Sequence, residues 1–453
     1  MEQVHAVVLA AGKGKRMRSD LPKVLHPVCG QPLIFYVLDA LHHAGISSSI
    51  VVVGHGADRV REAVGAQARY VEQAEPRGTG HAVLMALPHL PDDGNPVLVL
   101  YGDTPLLTAE TIHALTALHR TSGSAAALLS ARMPDPTGYG RVIRDGDGRV
   151  RKIVEEADCS SEERQVMEIN AGTYMFRQQA LREALRALTP GNAQGEYYLT
   201  DTIGWLLGRE QQVSALVASA EETVGVNSRQ ELAAAESLMR RRLLDRLMEG
   251  GVTIIDPVTT YVHAGVQVGP DTVIHPQSYL EGATAVGARC TIGPQARLVD
   301  ATVGDGVTIV ASSVERGAVG EGSTVGPYSR LRPGTRVGRF VEIGNFAELK
   351  NAEVGDHTKV HHMSYLGDVT VGARVNIGAG TVTCNYDGTR KHHTDIEDEA
   401  FIGSDTMLIA PIRIGKGAVT GAGSVVNKDV PPGGVAVGVP ARVIRYVTAE
   451  RRR

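Results

Sequence analysis

The chain has 453 residues, a length that suggests about three domains, each able to bury its own core. A formal charge of −4 offers no field for nucleic acid or an anionic membrane, so any phosphate ligand must be held by a local site. Cys29, Cys159, Cys290 and Cys384 are scattered without a CxxC pair, no leader-like segment precedes the first apolar run, and no run approaches membrane-spanning length. The expectation is a cytoplasmic protein with reduced thiols.

Residues 4–10, VHAVVLA, have the unbroken apolar character of a buried parallel strand. The loop AGKGKRMRSDLPK follows at 11–23, and helical spacing runs through PLIFYVLDALHHAG at 32–45. SSIVVVGHG reads as a strand, ADRVREAVGA as a helix and ARYVEQ as a strand. RGTGHAVLMALPHL is a glycine loop opening a helix, and NPVLVLYGDTPLL is a strand ending in an acidic turn. This alternation predicts a Rossmann-like, doubly wound, mostly parallel sheet whose ligands sit beyond the carboxyl ends of its strands. AAALLSARM, GYGRVIRDGDGRVRKIVEE and EINAGTYMF alternate apolar and polar residues with Asp-Gly turns, so they read as hairpins added to the sheet. GEYYLTDTIGWLLG begins a helix and SALVAS is a further strand. A long helix then spans 228–250, with Asn227 or Ser228 as its cap, Glu231 in the capping position and Gly250 at its end. It divides a first domain, 1–227, from a second, 251–453.

The second domain is organised by branched aliphatic residues spaced six apart. Val262, Val268, Ile274, Leu280, Val286, Ile292 and Leu298 run without a gap. After one slip, Val303 and Ile309 resume the series, which continues from Val319 to Ile377 and from Ile396 to Ile414, ending near Val426. Neither a helix nor a strand has that period. Each repeat is a short strand plus a corner, and only stacked coils bury the comb. Glycines after comb positions, such as Gly287 and Gly320, suit tight corners. The pattern resembles the hexapeptide-repeat left-handed parallel β-helices, and the hand is implied by that resemblance.

The loop at 11–23 is neither a GxxxxGK[ST] phosphate loop nor a GxGxxG fingerprint. It sets backbone N–H groups over a tight turn beside Lys13, Lys15, Arg16 and Lys23, a pairing that suits a triphosphate and that a solvated basic loop would also display. LxxGxGxRM followed by Pro-Lys after a first strand resembles the sugar-1-phosphate nucleotidyltransferases, which most often carry Thr where this chain has Lys15. The resemblance implies that Leu9, Ala10, Ala11, Gly12 and Lys23 hold the nucleotide with Gln73, Gly78 and Thr79 of QAEPRGTGHA, the segment that reads uracil. Tyr101, Gly102 and Asp103 would form the metal turn, and Gly140, Glu155 and Asn170 would meet the sugar. Asn227 would join Asp103 on Mg²⁺, with Arg16 and Lys23 as catalytic cationic clamps. A turn alone would explain Asp103, and a helix cap alone Asn227.

Where the comb falters the chain reads RLRPG, ELKN, HHMSYLGD, VNIGAGTVTCNYDG, SDT and TGAGS. These segments resemble the family of bifunctional N-acetylglucosamine-1-phosphate uridyltransferases / glucosamine-1-phosphate N-acetyltransferases, over almost the whole chain. The resemblance implies His362 as general base, the MSY that follows choosing it over His361. Arg332, Lys350, Tyr365 and Asn376 would hold glucosamine 1-phosphate. Asn385 and Tyr386 would orient substrate at the acetyl-CoA site, whose groove Ala379, Ser404 and Ala422 would line. UTP and acetyl-CoA are then co-substrates, and the family is trimeric with acetyl transfer between prisms. Gly438 stands where the family often has a CoA-contacting Arg, a charge that Arg442 or Arg445 could supply, and the terminal ERRR reads as a solvated tail. The alternatives are a monofunctional nucleotidyltransferase whose β-helix only oligomerises, and a scaffold with neither activity.

Overall fold

The computed structural model describes residues 3–447, so the terminal ERRR lies outside the described residues. The chain divides into two compact units, Met1–Met239 and Arg240–Arg453. No helix among the described residues is long and apolar enough to cross a membrane.

In the first unit the strand His5–Ala10 is buried at every position. Ala6, Val8 and Ala10 face one core while Val7 and Leu9 face another, because helices cover both sides of the sheet and alternate residues point to opposite faces. Across the sheet the strands run Val213–Ala218, Ala126–Arg132, Glu168–Phe176, Val97–Tyr101, His5–Ala10, Ser48–Val53 and Arg69–Glu72. Only Glu168–Phe176 is antiparallel to its neighbours in this series.

Sequence and structure part company at AAALLSARM. It is no hairpin arm but an inner strand, parallel to Val213–Ala218. Its polar Ser130 is buried rather than outward, because the hydroxyl donates to Glu168 Oε1 at 2.7 Å. The Asp-Gly signals mark one hairpin, Arg141–Arg144 with Val150–Val154. Two helices were not anticipated, Ala109–Ser122 and Gln178–Arg186. The first is capped by Thr108, whose side-chain oxygen accepts from Thr111 N at 3.2 Å.

The long helix is Arg229–Glu249. Ser228, not Asn227, caps it: Ser228 Oγ accepts from Glu231 N, and the Glu231 carboxylate accepts from Asn227 N. The Asn227 side chain is thereby left for other work.

The second unit is a stack of three-strand coils, the parallel β-helix that the six-residue comb predicts. Leu280 stacks on Leu298, Ile274 on Ile292 and Val286 on Val303, so each comb residue meets its counterpart one coil later. Every comb residue is buried except Val268, which is half-buried. Val314 is a further tooth between Ile309 and Val319, fully buried and stacked on Leu298 and Leu331. Thr383 and Thr420 also hold inner positions. Thr383 Oγ1 accepts from Gly367 N at 2.7 Å, and Thr420 Oγ1 from Gly403 N at 3.0 Å, so neither hydroxyl is orphaned. The stack ends in an antiparallel pair, Gly434–Gly438 with Ala441–Tyr446.

Gly293 and Gly326 do take positive φ, +93° and +105°, but the other corner glycines have a different physical reason. Gly269, Gly287, Gly304, Gly320, Gly403 and Gly415 do not have positive φ. A Cβ at Gly320 would instead lie 2.5 Å from Gly338 O, backbone of the next coil. Close coil stacking, not left-handed backbone, selects glycine there. Gly320→Ala should therefore destabilise the unit by about 1–3 kcal/mol, as overpacking does. Gly306→Ala, where φ is +66° but the space is open, should cost ~1 kcal/mol. Chemical denaturation of both variants tests this, and a larger loss for Gly306→Ala would contradict it.

Candidate functional site

Beyond the carboxyl ends of the central strands of the first unit lie two adjoining hollows of about 310 and 260 Å³. Lys23, Tyr101 and Asp103 line both. Leu9, Ala10, Ala11, Gly12, Gln73, Gly78 and Thr79 line the first, and Arg16, Gly140, Glu155, Asn170 and Asn227 the second. Gly102 lies beneath, its N–H donating to Leu9 O at 2.9 Å. The sequence-predicted residues of this unit are thus brought around one seam.

At the seam, Val226 N donates to Asp103 O at 2.9 Å, which fastens the segment of Asn227 to the acidic turn. Lys23 Nζ donates to Asp103 Oδ2 and, at 2.9 Å, to Asn227 Oδ1. Two protein oxygens from distant parts of the chain therefore converge on one cation. Among the described residues no group of three His, Cys, Asp or Glu is arranged for a metal. That donor set fits Mg²⁺, which takes few protein oxygens and completes its shell with water and phosphate.

The remaining groups are held by packing. Asn170 precedes a bulge in Glu168–Phe176, where the pairing with Ala126–Arg132 shifts register. Gly172 sits in that bulge with φ +74°, and a Cβ there would lie 2.1 Å from the ring of Tyr101. Burial pushes the Tyr101 hydroxyl and the Glu155 carboxyl up from their ordinary pKa values, and Thr200 Oγ1 donates to Glu155 Oε1 at 2.9 Å. Neither Gly172 nor His81, which contacts Gln73, was singled out from sequence; each stood inside a quoted motif, EINAG and GTGHA.

In the second unit the residues form a column. Met363 N donates to Asn345 O, Gly380 N to His362 O, Asp405 N to Ala379 O and Gly423 N to Ser404 O. Asn345, His362, Ala379, Ser404 and Ala422 therefore occupy one corner of successive coils. Three coil steps separate His362 from Ala422, about 14 Å at the ordinary strand spacing. His362 is exposed at φ +51°, and its Nδ1 lies 2.9 Å from Asn345 Oδ1. With that oxygen accepting, Nδ1 carries the proton and Nε2 a lone pair. His361 instead turns to Glu342, at 3.3 Å. Asn345 was missed from sequence because it lies 17 positions before His362 and only the coil length aligns them.

Arg332, Lys350 and Tyr365 share a neighbouring face, with Glu348 bonded to Arg332 and paired in register with Tyr365. Lys391, a second residue missed, lies beside Lys350 and lowers that ammonium's pKa by like-charge repulsion. Asn385 is buried, its amide donating to Asp368, while Tyr386 is exposed and bridges to Lys391. Asn376 lies on a different face, in register with Lys359 and Phe401. Gly438 is exposed at φ +103°, and Arg442 and Arg445 are exposed on the final strand.

A phosphate-adapted seam on a mostly parallel sheet, followed by a hexapeptide β-helix, defines a nucleotidyltransferase domain joined to a domain of the acyltransferase type. Residues 6–198 match the MobA-like NTP transferase domain family. A protein of Heliobacterium modesticaldum named Bifunctional protein GlmU is 50% identical over 438 residues, covering 96% of each chain. One of the same name from Geobacillus thermodenitrificans is 46% identical, covering 100% of this chain and 99% of its own. The chain belongs to the bifunctional GlmU family.

Because Gly172 makes room for Tyr101, Gly172→Ala should reduce pyrophosphate release by about a hundredfold through misplacement of the seam. An unchanged rate would show that the ring can move aside.

Proposed function

We propose that this enzyme makes UDP-N-acetylglucosamine in two steps, N-acetylation of glucosamine 1-phosphate in the second unit and uridyl transfer in the first. The observation that carries the proposal is that one chain holds both the Asp103–Asn227 seam and a histidine whose Nδ1 faces Asn345, which leaves Nε2 available as a base.

In the acetyl transfer, the substrate amine attacks the thioester carbonyl of acetyl-CoA while His362 Nε2 takes the proton from nitrogen. The C–S bond breaks and the CoA thiolate is protonated by the imidazolium. Asn345 holds the imidazole in the productive tautomer. Arg332 and Lys350, with Tyr365 and Asn376, bind the sugar phosphate, and Lys391 adds a third charge. The column Ala379, Ser404 and Ala422 accommodates the extended CoA arm, with Asn385 and Tyr386 beside the reacting groups. In the uridyl transfer, a phosphate oxygen of N-acetylglucosamine 1-phosphate attacks the α-phosphorus of UTP and the bond to pyrophosphate breaks. The nucleophile is already ionised, so no general base is needed. The hollow with Gln73 receives the nucleotide and the hollow with Glu155 and Asn170 the sugar. Arg16 and Lys23 clamp the phosphates. Mg²⁺ held by Asp103 and Asn227 would supply charge neutralisation between the two polyanions.

We also propose a cytoplasmic homotrimer, with domains divided at 1–227, 228–250 and 251–453. Exposed stacked rings, Tyr261 on Tyr279 and Tyr328 on Phe346, support association of the second unit. The separation of Asn376 from Lys350 supports an acetyl-transfer site completed by another copy.

His362→Ala should lower CoA release at least a hundredfold and leave pyrophosphate release intact, whereas Asp103→Ala should do the reverse. Loss of both activities in either folded variant would contradict two independent sites. Sedimentation equilibrium should return three times the chain mass, and a monomer would contradict the trimer.

A further inference from the structure

Gln73 is buried, and its amide nitrogen lies 3.0 Å from both the Gly78 carbonyl oxygen and His81 Nδ1. The carbonyl oxygen can only accept, so the atom facing it is the nitrogen and not Oε1. The second amide hydrogen meets Nδ1, which must then hold a lone pair. With both N–H groups engaged, Oε1 is the one polar atom Gln73 has left to offer a base. A lone acceptor matches the N3–H of uracil and opposes the N3 lone pair of cytosine. A rotated amide would do the opposite. We propose that His81 is a positioning residue which, by fixing the amide of Gln73, makes the nucleotide pocket select uracil over cytosine.

This inference rests on the reading that Gln73 meets the base. The surroundings hold His81 to the task. Gly80 N donates to Tyr197 O at 2.8 Å, and a Cβ on Gly80 would lie 2.6 Å from Leu188 Cδ1, so the turn before His81 is wedged. The imidazole lies 6.3 Å from the Tyr197 ring. Burial, then the Arg77 guanidinium, lowers its pKa and so favours the neutral imidazole, and the Gln73 N–H facing Nδ1 selects the tautomer with its lone pair there.

The test compares kcat/KM for UTP and CTP by pyrophosphate release in the full-length enzyme. His81→Ala should lower the UTP:CTP ratio about tenfold, the worth of one buried hydrogen bond. His81→Asn, whose Oδ1 stands where Nδ1 stood, should recover most of it. Gln73→Ala should lower the ratio as well. A ratio unaffected by the fraction of folded enzyme keeps the comparison valid if His81→Ala is unstable. A parental ratio in His81→Ala with a lowered one in Gln73→Ala would overturn the role of His81 while sparing that of Gln73. A parental ratio in both would overturn the base reading and this inference together. Equal loss in His81→Ala and His81→Asn would assign His81 to packing and overturn the proposal.

Discussion

Parallel coils stack only when every coil delivers the same few inward side chains at the same height, and that constraint governs the second unit. Leu331 meets Leu349, which meets Leu366, with little latitude in the number of residues between them. The backbone of each coil lies so close to the next that a Cβ at Gly287, Gly320 or Gly415 would strike it. Slips of one residue are absorbed at corners and leave the ladder intact. A larger excess has nowhere to go except outward, and one such excess exists. Thr383 pairs with Leu408, 25 positions on, where Leu408 pairs with Val426 after only 18. The surplus forms the loop carrying Tyr386 and Lys391, which lies beside Lys350.

The same constraint explains how the column arises. Residues 17 or so positions apart become neighbours because one circuit of the prism has that length, so Asn345, His362 and Ala379 align without any local motif. The first unit reaches convergence differently. Its strands end at one edge of the sheet, and a single backbone bond from Val226 to Asp103 draws Asn227 to the acidic turn. Each site is assembled by the regular part of its fold from residues far apart in sequence.

Much of this was legible from the sequence, and the misses are instructive. The comb named the stacked inner teeth of the second unit because a single inner face imposes a single period, while Ile254, Val266, Val307, Val341, Val375 and Ile412 complete the core outside it. It passed over Val314, which stands five rather than six residues from its neighbours, and Thr383 and Thr420, whose hydroxyls are satisfied inside. The first sheet was read correctly at His5–Ala10, Ser48–Val53, Arg69–Glu72 and Val97–Tyr101, where strands alternate with helices. It was misread at Ala126–Arg132, because Ser130 is buried by its bond to Glu168. The cap of the long helix was left between two residues, and geometry assigns it to Ser228. His81 and Asn345 could not be found by pattern alone. Each acts through another side chain, and that relation exists only in three dimensions.

Under the proposed function the regular coils are scaffold and the surplus loop serves acetyl transfer. Deleting residues 386–392 would restore the 18-residue spacing and leave the comb unbroken. Thermal unfolding and the two product-release assays on that variant test the claim directly. The expected result is a second unit at least as stable as the parent, no CoA release and unchanged pyrophosphate release. Sustained CoA release from the shortened chain would contradict it.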